Sequence, residues 1–464
     1  MARSRSTVEV IPSARRLIRS LRDVGYDFKH AVADLVDNSI AAGASSVAID
    51  MRFDGNESFL RIADNGAGMN GTTITEAMRF GTERDYEADE LGKFGLGLKT
   101  ASLSQCSRLT VASRTDRAAR RIEVRQWDLA HVEKSNRWEI IDVPTGDRPD
   151  VLIEPLQDTA GTVVLWELLD RVLGYKVPWG ERARNGFLRL ADELDQHLGM
   201  VFHRFLSGEA RRRKKLRITL NGTSVEAWDP FATDEKATLQ LPGKQLEIHG
   251  DEGPGLVACT PYILPRQDQF SSLKAFNRYA GPRKWNYQQG FYIYRADRLI
   301  QSGGWSYLRT ADEHTKLARV ALDFWPDLDS AFDLNVAKAR VNLPADLRAQ
   351  LQPIVEQVVK QARTVYSTRP GPGPAPTGGS HRRPGTPPPD SMPSRRPDTA
   401  QPDDDLQTQP ASSSTGTLPI NHGLAHIGQA IENAASSAGE SDALKRIRQA
   451  LRTYDPQTAT EIGW

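Results

Sequence analysis

Helical spacing of apolar residues marks the first strongly patterned stretch of the chain. Val32, Leu35, Val36 and Ile40 recur at intervals of one, three or four residues, as they do on one face of an α-helix. The spacing predicts a helix over residues 30–42. Short apolar runs bounded by turn residues predict strands at 47–53, 58–63, 108–113, 121–127 and 151–153. Strands that alternate with helices in this way indicate an α+β fold.

The pattern continues into a second α+β unit. A long helix is predicted over 185–206, and Asn221-Gly222 between two short apolar runs predicts a β-hairpin. A second hairpin is predicted over 290–300, followed by a strand at 319–324 and a helix over 345–366. Both halves therefore contain enough patterned sequence to form a core.

Composition changes sharply after the last of these helices. Pro, Gly, Ser and Thr dominate residues 367–420, and such a segment cannot bury a core, so we expect a disordered linker. Two short helices are predicted beyond it, at 425–434 and 442–452. We divide the chain at these changes into the following parts: a lead-in 1–30, a first domain 31–180, a second domain 181–366, the linker 367–420 and a helical tail 421–464.

Charge and cysteine content narrow the class of protein. Charged residues make up 26% of the 464 residues and the net charge is only +1, so nucleic-acid binding requires a local basic patch. The run 211–215, with three Arg and two Lys, is such a patch, although a solvated turn is the commoner explanation. Two cysteines and the lack of an apolar run of about 20 residues predict a soluble, cytoplasmic protein without a membrane segment.

A first polar motif lies on the helix predicted at 30–42. Asp34 and Asn38 are four residues apart and so share one helix face. A carboxylate can polarise an attacking water, and an amide oxygen can ligate Mg²⁺ beside phosphates. The alternative is a polar helix face without a ligand.

Two further motifs follow in order. Asp64 ends a predicted strand, and Gly66 and Gly68 occupy the turn after it, where an acidic acceptor can bind the amino group of adenine; an ordinary Asx turn is the alternative. Residues 91–102 form a Gly-rich loop that runs into a helix predicted at 98–105, so backbone N–H groups can face phosphates; a flexible loop is the alternative. The loop fits neither the dinucleotide nor the Walker pattern. Together the three motifs predict a nucleotide pocket.

These motifs resemble those of the GHKL ATPases, the superfamily of gyrase B, heat-shock chaperones of the HSP90 type, sensor histidine kinases and MutL. The wording Asp-Asn-Ser-Ile at 37–40, with Ala-Gly-Ala at 42–44, and the run Phe-Gly-Leu-Gly-Leu-Lys-Thr-Ala-Ser at 94–102 are most similar to the MORC-like branch and its bacterial members. The resemblance implies a two-layer α/β sandwich, the Bergerat fold, followed by an α+β transducer domain of the kind found in MutL.

The resemblance also implies roles for individual residues. Asn38 holds Mg²⁺, Asp64 binds the adenine, and Thr162 assists it through its hydroxyl from a strand that opens at Gly161-Thr162. Met69 lines the base, as do the two glycines named above. Residues 82–90 form the front of a mobile ATP lid, and Lys93 lies further along the same lid. The phosphates are held by the following residues: Gly95, Leu96, Gly97, Leu98, Lys99 and Thr100.

One departure from the family bears on catalysis. Hydrolysing members mostly carry Glu where this chain has Asp34. Asp is one methylene shorter, so the carboxylate lies roughly 1.5 Å further back if the backbone is unchanged. A misplacement of about 1 Å can cost on the order of a hundredfold in rate. The sequence therefore predicts slow turnover, with Asp34 as the base and Asp37 as a second choice.

By resemblance the chain is an ATP-gated clamp. Two copies dimerise on binding ATP, and Lys338 of the second domain reaches the γ-phosphate. The lead-in either straps the dimer or is a solvated basic helix. DNA is the client implied, in a context of DNA modification or defence against phage. The serious alternative is an ATP-binding switch that does not hydrolyse and recruits a protein partner through the tail.

Two other classes are excluded on the residues. A sensor kinase needs a phospho-accepting His on a dimerising helix upstream of the pocket, and only about thirty residues precede it. A nuclease needs clustered metal ligands, which the nine His and two Cys do not form in the sequence.

Overall fold

The computed structural model describes most of the first 368 residues and part of the tail. The described residues are 10–23, 26–81, 97–119, 121–251, 253–333, 341–368, 432 and 441–454. The chain divides into two compact units, Met1–Pro376 and Thr377–Trp464. In the second unit the described structure is one helix, α12, with Glu432, which pairs with Arg448.

Twelve α-helices are described. They are α1 Ala14–Arg22, α2 Phe28–Ala41, α3 Gly71–Ala77, α4 Gly97–Leu103, α5 Leu129–Ser135, α6 Asp150–Ile153, α7 Glu181–Val201, α8 His203–Ser207, α9 Leu273–Tyr279, α10 Lys284–Gln288, α11 Ala345–Ser367 and α12 Ser441–Tyr454.

Fourteen strands are described, in two sheets. The first sheet contains β1 Ser46–Arg52, β2 Phe59–Asp64, β3 Arg108–Arg114, β4 Glu123–Asp128, β5 Ile141–Asp142, β6 Gly161–Glu167, β7 Arg217–Leu220 and β8 Thr223–Ser224. The second contains β9 Leu239–Gln240, β10 Lys244–Gly250, β11 Gly253–Ile263, β12 Gly290–Arg295, β13 Arg298–Ser302 and β14 Ala318–Phe324.

The first sheet has the strand order β5-β4-β3-β6-β2-β1-β7-β8 and is antiparallel except for the β1/β7 pair. Its two faces bury different residues of the same strands because side chains alternate along a strand. On β6, Val164 and Trp166 join the main core with helices α2, α4 and α7, whereas Val163 and Leu165 join a smaller cluster on the opposite face. The helices therefore cover one face, which gives the expected α+β sandwich.

The second sheet has the order β10-β11-β14-β12-β13, with β9 beside β11. Helix α11 packs on it through an apolar face that includes Leu347, Leu351 and Val358. A further cluster joins Met200 at the end of α7 to Tyr292 and Tyr294 of β12. The β12–β13 hairpin is thereby brought against the helical layer of the first sheet.

The main features predicted from the pattern are confirmed. These are the mixed α+β class, the helix containing Asp34, both hairpins, and the helices at 345–366 and 442–452. The strand predicted at 151–153 is wrong: Pro149 and Asp150 begin a short helix there, and Leu152 is buried beneath the sheet without pairing as a strand. The helix predicted at 185–206 begins earlier, at Glu181, and is interrupted at Phe202 between α7 and α8.

Helix α1 lies against the rest of its own unit. Ala14 and Ile18 are buried, and the Arg22 guanidinium donates to the carbonyl of Leu103 at 2.6 Å and pairs with Asp170 at 2.7 Å. The described part of the lead-in is thus a packed helix with a basic outer face, and residues 1–9 lie outside the described part.

Candidate functional site

Asp64 lies at the carboxyl end of β2, between β1 and β6, in register with Val47 and Thr162. The backbone N–H of Gly66 donates to its Oδ1 at 2.8 Å, and the hydroxyl of Ser39 donates to its Oδ2 at 3.0 Å. Burial raises the pKa of Asp64 although these hydrogen bonds oppose the change. Asp64 is therefore a sheltered, oriented acceptor.

The strand beside this carboxylate supplies a hydroxyl network. Ser113 of β3 donates to the carbonyl of Gly161 at 2.9 Å, accepts from the backbone N–H of Met69 at 2.8 Å, and shares a hydrogen bond of 2.9 Å with the Thr162 hydroxyl. The loop that contains Met69 is thus tied to the end of β6. Asp64 and Met69, from one motif, and Thr162, from a later strand, are brought together here.

The glycines of this turn are required by close packing of backbone. Gly68 has φ +67°, and a Cβ on it would lie 2.0 Å from the carbonyl oxygen of Arg114. A Cβ on Gly66 would lie 2.8 Å from that of Ala42. Any side chain at Gly68 would push the loop away from β3 and break the contact between Met69 and Ser113.

Helix α2 places Asp34 and Asn38 on one face, as its period requires. Asp34 is only 3% exposed, whereas Asn38 is exposed. The helix ends at Ala41, and Gly43 with φ +74° turns the chain into β1. Asp34 Oδ2 lies 4.0 Å from the ideal Cβ position of Gly97, so the carboxylate faces the first residue of α4.

Tyr26 and Arg298 both contact the Asp34 carboxylate. The Tyr26 hydroxyl donates to its Oδ2 at 3.0 Å, and Arg298 Nη2 of β13 lies 3.5 Å from its Oδ1. The same guanidinium binds Asp37, which is fully buried, with its Nε 2.8 Å from Oδ2. Burial, together with the neighbouring Asp34, raises the pKa of the Tyr26 phenol, so Tyr26 remains a donor at neutral pH. Asp37, the second choice for a base, is committed to Arg298.

Helix α4 contributes a buried hydroxyl and a buried amine. The Thr100 hydroxyl is buried and has no hydrogen-bond partner among the described residues, an arrangement that costs free energy unless a ligand pairs with it. Lys99 donates to the carbonyl of Ala77 at 3.1 Å, and burial lowers its pKa to about 8. Leu98 is half-buried against the core. An orphaned hydroxyl and an open Asn38 fit a polar ligand with a bound cation.

Several predicted residues lie outside the described part of the chain. They are Lys93, Gly95, Leu96 and Lys338, together with the predicted lid segment 82–90. The cationic run at 211–215 is described, and it is partly engaged within the protein. Arg211 pairs with Asp297 at 3.0 Å, and its guanidinium lies 4.7 Å from the centre of the Trp325 ring.

Sequence reasoning missed four residues that shape the site. Ser39 lies inside the first motif, next to Asn38, and could have been found as a further polar residue of that motif. Ser113 and Tyr26 carry weaker signals, because each is one polar residue near an apolar run. Arg298 carries none, since it is 264 positions from Asp34.

The described residues also bear on other classes of site. Among the described residues, no group of three or more His, Cys, Asp and Glu is arranged to hold a metal ion. Within the same ranges, none of the helices has the length and apolarity needed to cross a membrane. Cys106 and Cys259 are both buried and not joined in a disulfide.

Comparison with known proteins matches the segment of the chain that contains most of this site. Residues 26–162 match the family described as "Histidine kinase-, DNA gyrase B-, and HSP90-like ATPase". The chain is 30% identical over 215 residues to the DNA mismatch repair protein MutL of Salmonella arizonae, and equally to that of Salmonella heidelberg. That alignment covers 45% of this chain and 30% of each relative. The part of the chain that holds Asp34, Asn38, Asp64 and Thr162 is thus similar to GHKL ATPases.

Proposed function

We propose that the protein binds ATP and hydrolyses it slowly with Mg²⁺, as an ATP-gated clamp of two copies. One observation carries this proposal. Asp64 and Asp34, the two carboxylates that by resemblance bind adenine and activate water, both accept hydrogen bonds within the matched segment. Asp34 is buried and Asp64 is partly buried.

At the adenine end, Asp64 accepts the amino group of the base. Ser39 and the Gly66 N–H hold the carboxylate in place, so it loses little freedom on binding. The Thr162 hydroxyl, oriented by Ser113, offers a second polar contact beside it. These groups bind and orient the nucleotide without taking part in the chemical step.

At the phosphate end, residues Gly97 to Thr100 and the face of α2 surround the phosphates. The unpaired Thr100 hydroxyl gains a hydrogen-bond partner when a phosphate oxygen is present. Asn38 would hold Mg²⁺ through its amide oxygen, and that ion supplies charge neutralisation for the transferring phosphate. Asp34 then orients the attacking water and takes up its proton.

Slow turnover follows from the side chain at position 34. The shorter carboxylate reaches roughly 1.5 Å less far than Glu. A misplacement of about 1 Å between base and water can cost on the order of a hundredfold in rate.

ATP acts as the ligand that closes the clamp. Lys338 would report the γ-phosphate from the second domain, and closure would bring two copies together, because the nucleotide binds the closed state better. DNA as the client is supported by the similarity to a DNA mismatch repair protein, and a MORC-like role in DNA modification or phage defence by the motif wording. The chain spans only 30% of the length of those relatives. The DNA client and the assembly of two copies are therefore part of this proposal.

The alternative is a switch that binds ATP but scarcely hydrolyses it, and recruits a protein partner through the tail. Asp34 favours it, because its carboxylate is one methylene shorter than that of the family's usual Glu and lies further from the attacking water. Turnover separates the two functions.

The test is steady-state phosphate release by the full chain with Mg-ATP, with and without duplex DNA. Asp34→Ala is expected to remove turnover while ATP binding, followed by titration calorimetry, persists. Asp34→Glu is compared as the variant with the reach of the family's usual residue. Stimulation by DNA would support the client.

Phosphate release that survives in Asp34→Ala would exclude Asp34 as the base. Tight ATP binding without any release in the wild type would favour the switch. A protein that binds no ATP would contradict both functions.

A further inference from the structure

Arg298 occupies an unusual place for a cation. It opens β13 in the second sheet, directly after the turn that closes the β12–β13 hairpin, and it is only 1% exposed. Its side chain leaves its own sheet and enters the helical layer of the first one. There it ends beside α2, and its guanidinium carbon lies 5.9 Å from the centre of the Phe202 ring.

The guanidinium lies between two buried carboxylates. Its Nε is 2.9 Å from Oδ1 and 2.8 Å from Oδ2 of Asp37, and its Nη2 is 3.5 Å from Oδ1 of Asp34. Asp37 is the tighter partner and fixes the plane of the guanidinium. Asp37 thus orients the guanidinium, and the other edge of that group faces Asp34. The planar guanidinium of Arg allows this arrangement, whereas the ammonium group of Lys does not.

Two acids buried three residues apart on one helix need such a cation. Asp34 and Asp37 are 3% and 0% exposed, and two carboxylates so close repel each other unless a cation lies between them. The Tyr26 hydroxyl binds the other oxygen of Asp34, at 3.0 Å. Asp34 is thus held on Oδ1 by the second sheet and on Oδ2 by the segment that leads into α2.

We infer that Arg298 is a positioning residue for hydrolysis: by binding Asp37 and the inner oxygen of Asp34, it fixes the direction of the Asp34 carboxylate toward the water. This inference rests on the proposed ATPase function and names a residue that acts through Asp34 without touching nucleotide. Arg298 belongs to the β12–β13 hairpin. The position of the second sheet therefore determines the orientation of Asp34, the proposed base, beside the first sheet.

A physical consequence separates hydrolysis from binding. The adenine contacts of Asp64 and Thr162 come from β2, β3 and β6 and do not involve the hairpin. Loss of the Arg298 contact therefore slows the chemical step and leaves the affinity for ATP unchanged. A residue that only stabilised the fold would lower both together, or neither.

The experiment compares three full-length proteins by phosphate release and by ATP titration. Arg298→Lys keeps the positive charge that Asp37 needs but loses the fork, and kcat is expected to fall about tenfold, with the Kd for ATP within twofold of the wild type. Arg298→Met removes the charge and is expected to lower kcat further. A kcat that decreases in the order wild type, Arg298→Lys, Arg298→Met would show that the positive charge of Lys partly restores the rate.

The chain offers a matched control on the same hairpin. Arg295 of β12 is equally buried and makes an ion pair with Asp329, at 2.6 Å, which is away from Asp34. Arg295→Lys perturbs the hairpin by the same change of side chain and is expected to leave kcat close to that of the wild type. A similar fall in Arg295→Lys and Arg298→Lys would overturn the positioning role.

A further variant keeps the test decisive if Arg298→Met does not fold. Replacing both partners of the closer ion pair, Arg298→Met with Asp37→Leu, avoids leaving Asp37 as an unpaired buried acid, and paired removal of this kind is often tolerated. Asp34 keeps its hydrogen bond from Tyr26 in this variant. The double variant is expected to bind ATP and to lose at least tenfold in kcat.

The outcomes distinguish the two proposals. Wild-type turnover with unchanged kcat in Arg298→Lys and in the double variant overturns the role of Arg298 alone. Absence of turnover in the wild type overturns the ATPase function and this inference with it. A fall in kcat with an equal loss of ATP affinity assigns Arg298 a structural role and also overturns the inference.

Discussion

The two carboxylates of the site, Asp64 and Asp34, are held in different ways. Asp64 is oriented by Ser39 and Gly66, which lie within 25 positions of it. Asp34 is bound by Tyr26, eight positions away, and by Arg298, 264 positions away in another sheet. The adenine end of the site is formed by residues close in sequence. The end that contains Asp34 is complete only when the second sheet packs against the helical layer of the first.

This difference separates two steps of the proposed reaction. Binding at the adenine end needs only the first sheet and helix α2. The adjacent strands β2, β3 and β6, the turn after β2 and Ser39 of α2 supply the described polar groups there. Alignment of the base needs the β12–β13 hairpin as well. Substitutions at the two ends should therefore change different quantities, affinity at one and rate at the other.

The largest effect is expected from Asp64→Asn. An amide presents a donor or a weaker acceptor to the adenine amino group, and we expect ATP affinity to fall at least a hundredfold, below detection by calorimetry. Asp50→Asn is the control, since Asp50 lies on the adjacent strand and pairs with Arg61. Affinity retained in Asp64→Asn would mean that another group binds the base.

Tyr26→Phe tests the base end at its second contact. It removes one buried hydrogen bond to Asp34 and nothing from the adenine end. We expect kcat to fall about fivefold to tenfold, and stability by about 1 kcal/mol, with ATP affinity unchanged. Phosphate release, denaturant unfolding and ATP titration measure the three quantities. A weaker ATP affinity with normal kcat would show that the two ends are not independent.

Ser113→Ala is expected to have a smaller effect, on affinity. The substitution leaves the Met69 N–H and the Thr162 hydroxyl each with one partner fewer. ATP binding should weaken about threefold to tenfold, the cost of one unmade buried hydrogen bond. The kcat at saturating ATP should match that of the wild type, and a drop in kcat would contradict the division between the ends.

The smallest expected effect is the pH dependence of stability without nucleotide. Because the folded-state pKa of Asp64 is raised by burial, its protonated form favours folding, and that contribution is present in acid and lost as pH rises through the folded pKa. Asp64→Asn, which stays neutral, should therefore unfold at slightly higher denaturant than the wild type at pH 7. The difference should shrink toward pH 4, and equal midpoints at both values would show that burial does not penalise this carboxylate.

Local features of the sequence were sufficient to predict the helix and strands that carry the proposed adenine end of the site. The helix from the spacing of Val32 to Ile40, the strand before Asp64 and the strand opened by Gly161-Thr162 are all described where they were predicted. The first two rest on periodicity or turn chemistry over fewer than fifteen residues, and the third rests on the resemblance to GHKL ATPases. The short segment at 151–153 was predicted wrongly because an apolar run so short fits either a strand or a turn of helix.

The sequence by itself determined the mixed α+β class, the order of the three motifs and the two carboxylates of the proposed nucleotide site, because helix and strand periods and glycine turns are local properties of the chain. Only the tertiary structure decided which cation meets Asp34. A lone arginine after a hairpin turn has no distinguishing local pattern. Arg298 acquires its place because packing of the hairpin under α7 and α8 buries it against two acids, where an uncompensated charge is too costly to persist.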